Sequence, residues 1–218
     1  MMKADSISTD GAGNALDRNA LVGRTQRLEY FTLAWNGFEA AVALASGLLA
    51  GSVALVGFGL DSVIETVSAG ILLWRFRADA DVERREIAER TAHRLVGVCF
   101  LLLAVYVAIE SGRALWMKAL PERSWPGILI AAAAVIVMPL LARAKRRVAL
   151  QLSSRALYAD SRQADFCMYL SGILLAGLLL HALLGWWWAD PVAALVMVPI
   201  IAREGMLGLR GQVCDNCT

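Results

Sequence analysis

Histidine is nearly missing from this chain. Only His93 and His181 occur in 218 residues. Each lacks an obvious second ligand nearby in sequence, so both read as interfacial groups rather than metal ligands. Cysteine is also sparse. Of the four, Cys99 and Cys167 fall in apolar segments and Cys214 and Cys217 form a CDNC tail, so no disulfide framework is expected. The first 27 residues are polar and hold no apolar core of the signal-peptide type, so a secreted protein with a signal peptide is not expected and a disordered cytosolic lead-in is the expectation for 1–27. No internal repeat or low-complexity tract is evident. Nothing resembles a permanently bound cofactor or a quinone site, so the chain is not expected to be an enzyme, and no nucleic-acid partner is expected. The net charge of +2 excludes little as a total; its distribution says more.

What the chain has in abundance is apolar sequence: 58% of residues are hydrophobic and the mean hydropathy is +0.57. Spread over several segments, that composition describes a polytopic membrane protein. Hydropathy gives five or six spans, depending on how the last apolar region divides; the six-span reading, near Leu28–Leu49, Val53–Trp74, Leu95–Met117, Pro126–Ala142, Arg155–Leu184 and Pro191–Ala202, makes an all-α bundle of six transmembrane helices. A Gly51-Ser52 turn joins the first two, and a polar link, RAKRRVALQLSSR, joins the fourth and fifth. Trp186, Trp187 and Trp188 read as an interfacial aromatic belt. Counted on alternate sides of six spans, 17 Lys and Arg fall with the termini and only Arg113, Lys118 and Arg123 on the other face. The positive-inside rule then puts both termini in the cytoplasm, and a bacterial inner (plasma) membrane is the expected residence. The connection from Arg75 to Arg94 mixes both charge signs at helical spacing and reads as a solvated helical extension.

Inside this apolar frame, Asp61 and Glu65 stand four residues apart in the second span. One ionised side chain at the centre of a membrane helix costs roughly 2.5–3.5 kcal/mol on insertion scales, so two carboxylates must face a cavity, a proton or a cation. At helical pitch they lie about 40° apart and can share a ligand. With Gly57 and Ser68 they form a small or polar stripe; close helix packing explains those two residues but not the acids. The fifth span offers a counterpart in Asp160, Gln163 and Cys167, which fall within roughly 60° of one another. Arg162 and Asp165 lie on the opposite side of that helix and read as a mutual ion pair or as headgroup-facing groups. In the first span Asn36 and Glu39 form a second polar patch, a candidate ion path or proton relay. Glu110 and Arg113, at i and i+3, read as a surface pair. One CxxC, Cys214 with Cys217, supplies half a tetrahedral site, so cytosolic metal capture there stands beside a passive tail.

The run AWNGFEAAVALASGLLAGSVALVGFGLDSVIETVSAGILLWR resembles the first two spans of the cation diffusion facilitator (cation efflux) family. ALYADSRQADFCMYLSGILLAGLL, followed by GWWWADPVAALVMVPIIAREG, resembles its last two, and the likeness covers roughly Leu28 to Arg210, leaving 211–218 as a short tail. The resemblance implies six spans with cytoplasmic termini, a homodimer, and export of divalent cations against protons. It also implies a tetrahedral site of two residues four apart on the second span and two four apart on the fifth. Asp61 and Glu65 occupy the first pair; Gln163 and Cys167 stand where the second pair falls, in place of the usual His or Asp. Two carboxylates, a thiolate and an amide oxygen suit Zn²⁺ first, with Mn²⁺ or Fe²⁺ as alternatives. A competing reading is a non-transporting membrane metal-binding or partner protein that keeps the fold with a degenerate site.

Overall fold

The computed structural model describes residues 8–77, 82–152 and 155–210. Six helices follow one another: α1 (Ser8–Ala50), α2 (Val53–Arg77), α3 (Val82–Trp116), α4 (Trp125–Gln151), α5 (Arg155–Leu184) and α6 (Ala189–Arg210). Each contains a stretch long and apolar enough to cross a bilayer, and no strand occurs among the described residues. Many large apolar side chains point outward, among them Leu48, Leu102, Ile109, Leu129 and Ile136, as expected for a bundle solvated by lipid rather than water. The principal pairings are α1 on α2, α3 on α6 and α4 on α5; α1 also meets α4, α2 meets α3, and α5 meets α6.

The helix boundaries follow local chemistry. Gly51 adopts φ +66°, a left-handed conformation that a residue without Cβ reaches freely, and turns the chain between α1 and α2. Ser52 caps α2, its Oγ accepting from Leu55 N at 3.1 Å. The cap is tied across the bundle by Asp190 of α6, whose carboxylate accepts from the Ser52 hydroxyl and, at 3.0 Å, from Val53 N. Ser124 caps α4 by accepting from Gly127 N at 3.1 Å, with Pro126 in the first turn where its missing N–H costs nothing.

Three boundaries differ from the hydropathy reading. Residues 8–27, expected to be a disordered lead-in, continue α1 as helix, and at the base of this extension Leu21 packs beside Leu28 on a small apolar cluster of Val148, Ala149 and Leu157. The link after Ala142 is helical to Gln151, since Lys145 turns inward and Val148 and Ala149 complete the same cluster. The sixth helix extends past Ala202 to Arg210. The charged connection between the second and third spans is helical up to Arg77 and again from Val82, while residues 78–81 of the expected extension lie outside the described residues.

At one crossing the backbones of α3 and α6 touch. A Cβ on Gly97 would come within 2.8 Å of Gly205 O and Leu209 N, and one on Gly205 within 2.9 Å of Gly97 O. Glycine there lets two helices approach more closely than any side chain permits.

Candidate metal centre

Asp61 and Glu65 project from successive turns of α2, and Cys167 from α5, into the interior of the bundle. All three are buried. One ligand atom from each lies within 4.8 Å of the other two, and the Cys167 thiol sits 4.0 Å from Asp61 Oδ2 as a hydrogen-bond donor. In a tetrahedral zinc site with bonds near 2.0–2.3 Å, ligand atoms are about 3.3–3.8 Å apart. The three donors therefore need to approach by no more than about 1.5 Å to close on one ion. They line a cavity with room for about one water-sized body. Its walls are completed by Gln163, Phe166, Leu170, Phe100, Ile200, Ile201 and Glu204. Apolar walls and acidic contents make this a place where a +2 ion offsets two carboxylate charges that lipid and protein otherwise leave costly.

Around the three donors lies a hydrogen-bonded layer. Asn36 Nδ2 on α1 donates to Glu65 Oε2 at 3.0 Å, both residues being buried. Glu39 accepts from Ser62 Oγ and from Trp35 Nε1, each at 2.7 Å. The Asn36 and Glu39 patch read from the sequence is thus set against α2, with Asn36 orienting a site carboxylate and Glu39 one helical turn away beside Ser62. Gln163 faces the cavity, its Oε1 accepting from Ser68 Oγ at 3.5 Å. The small and polar stripe on α2 has its own use: Gly57 leaves space into which Val107 of α3 fits, since a Cβ there would meet Val107 Cγ2 at 2.9 Å.

Other candidate residues stand elsewhere. Asp160 does not line the cavity; it pairs with Lys145, which also donates to Glu29 Oε2 at 3.2 Å. The reason is that α4 continues past Ala142 and brings the buried Lys145 ammonium to the facing side of α5. Asp165 pairs with Arg146 of α4 rather than with Arg162, which is exposed. Glu110 and Arg113 form the surface pair their spacing implies, at 2.7 Å. His181 Nδ1 lies 3.3 Å from Trp186 O, at the aromatic end of α5. Cys214 and Cys217 lie outside the described residues, as does the His93 side chain.

Glu204 is the residue that sequence reading missed. It stands on α6 beyond the span assigned by hydropathy, yet lines the cavity, and its Oε2 is shut off from solvent without a hydrogen-bond partner. The signal was periodicity: Met197, Ile201 and Glu204 share one face at helical spacing, and the first two are buried.

A sequence profile described as "Cation efflux transmembrane domain" matches residues 30–210. Among curated proteins, the chain is similar to transmembrane protein 163 of Xenopus laevis, at 30% identity over 131 residues. That alignment covers 60% of this chain and 45% of the relative, so the chain spans less than half the length of the curated relative it matches.

Proposed function

The chain belongs to the cation efflux family, a family of membrane transporters, and from that membership we propose that it exports a divalent cation, Zn²⁺ first among candidates, in exchange for protons. The observation that carries this reading is the convergence of three buried donors, Asp61, Glu65 and Cys167, on one small cavity. Two hard oxygens and one soft sulfur favour a borderline ion over Mg²⁺ or Ca²⁺, which take oxygen alone.

The exchange follows from the same donors. A cation binds to deprotonated ligands, so loading from the cytoplasmic side releases protons and unloading outside takes them up. Rocking of helices about the site moves it from one face to the other. Asn36 holds Glu65 in place, and Glu39, one turn along α1, offers a second buried carboxylate to which a proton passes. The positive-inside distribution supports cytoplasmic termini, which makes the outward direction export. Assembly as a homodimer belongs to the same proposal.

The test is flux into liposomes that enclose a fluorescent zinc reporter. The expected outcome is zinc entry driven by a proton gradient in wild type and its loss in Asp61→Ala. Equal flux in the two proteins would refute the reading. Zinc binding without flux in wild type would favour instead a metal-binding partner protein that keeps the fold.

A further inference from the structure

The cavity holds three clustered donor atoms where a tetrahedral ion takes four. Two further polar side chains face it, Gln163 and Glu204, and their atoms are engaged differently. Gln163 accepts only a long hydrogen bond through Oε1, from Ser68 Oγ at 3.5 Å, and its Nε2, a donor that cannot bind a cation, has no partner. Glu204 presents the opposite case: Oε2 is an acceptor, hidden from solvent and without a hydrogen-bond partner, although the positive charges of Arg203 and Arg162 act on the carboxylate without bonding that oxygen. A sequestered acceptor without a partner is costly unless something positive or a hydrogen-bond donor reaches it. Its position on α6 is also fixed, because the next residue, Gly205, lies backbone to backbone against Gly97.

Building on the transport reading above, we propose that Glu204 of α6 is the fourth ligand of the transported cation, completing a site with Asp61, Glu65 and Cys167, and that Gln163 serves as a polar contact outside the coordination shell. The site then spans α2, α5 and α6, with three carboxylates and one sulfur. The Gln163 amide, its Nε2 unpaired beside the cavity, is placed to donate to a carboxylate oxygen of the loaded site. A third carboxylate also hardens the donor set, so Mn²⁺ gains relative to Cd²⁺ from Glu204 and loses when it is removed.

Two experiments on the full chain in detergent decide it, each with zinc alone as the probe. In the first, titration calorimetry on a Cys214→Ser, Cys217→Ser background compares the otherwise wild-type protein with Asp61→Ala, Glu204→Gln and Gln163→Leu. The expected result is that Glu204→Gln weakens zinc binding about tenfold or more, the Asp61→Ala loss is larger still, and Gln163→Leu stays within about threefold of wild type. Affinity retained in Glu204→Gln while Asp61→Ala loses it overturns this assignment and leaves the transport site standing; affinity retained in Asp61→Ala overturns both.

The second experiment does not depend on affinity. Zinc-edge X-ray absorption on a Cys214→Ser, Cys217→Ser background counts sulfur ligands near 2.3 Å. Glu204→Cys should raise the count from one to two, whereas Gln163→Cys should leave it at one. The reverse pattern, or an unchanged count in Glu204→Cys, would assign the fourth position away from α6.

Discussion

Substituting Lys145 by methionine should damage this protein far more than removing either of its partners. Lys145 is 1% exposed, Glu29 is 0% exposed and Asp160 is 12% exposed, so one ammonium faces two carboxylates away from water on three different helices. Lys145→Met keeps the length and apolar bulk of the side chain but leaves both acids without a counter-charge. Breaking a buried pair in this way costs about 3–5 kcal/mol. For a chain of this size, about 2–4 °C of melting temperature accompanies each kcal/mol, so the expected drop is about 6–20 °C. Glu29→Gln is different in kind. It leaves a neutral Lys145–Asp160 pair, and the amide oxygen still accepts from Lys145, so the loss should stay below about 1.5 kcal/mol. The triple variant Lys145→Met, Glu29→Gln, Asp160→Asn removes every charge and should recover much of the drop. Thermal melts of purified protein in detergent, read by tryptophan fluorescence, give all three values. A melting temperature for Lys145→Met within about 2 °C of wild type, or equal damage from Glu29→Gln, would refute the view that these groups form one desolvated charge unit.

Other outcomes are equally definite. Cys167→Ser replaces the soft donor with a hydroxyl and should cut Cd²⁺ affinity more than Mn²⁺ affinity, as measured by competition titration; a uniform loss would argue against sulfur ligation. Zinc binding should weaken as the medium is acidified and release protons at neutral pH, because the carboxylates must be ionised to bind. Calorimetry in buffers of different ionisation enthalpy counts those protons, and a count of zero would contradict exchange at this site. Gly97→Val forces a side chain into the Gly205 backbone and should cost about 1–3 kcal/mol or separate α3 from α6, detectable as a lowered melting temperature with weaker zinc binding.

The positions of the six spans and of the acidic pair were legible because hydropathy and helical period are local properties. What escaped was whatever depends on a partner from another helix. A hydropathy window counts Lys145 as a charge and ends the fourth span near Ala142; only Glu29 and Asp160, far away in sequence, make its burial tolerable. The same pairing took Asp160 out of the candidate site, although its spacing with Gln163 and Cys167 on α5 is sound. Glu204 was hidden by the neighbouring Arg203 and by a span cut short at Ala202, even though the face shared with Met197 and Ile201 continues to it. Helix α1 reaches back past Leu28, where Leu21 finds apolar partners on α4 and α5 that no N-terminal composition announces.

The Asp190 tie gives the bundle a mechanical asymmetry. It pins the start of α6 to the start of α2. From that joint, Glu65 lies 12 residues along α2 and Glu204 lies 14 along α6, arms of about 18 and 21 Å at helical rise. Two levers of nearly equal length thus share a fulcrum and carry acidic groups at their working ends. A relative tilt of about half a degree displaces those ends by about 0.2 Å, the usual tolerance of a metal–ligand bond, and about 5° displaces them by about 2 Å. If an ion binds between the arms as proposed, its grip is set by an angle at the far end of α2 and α6, where a single carboxylate holds the hinge.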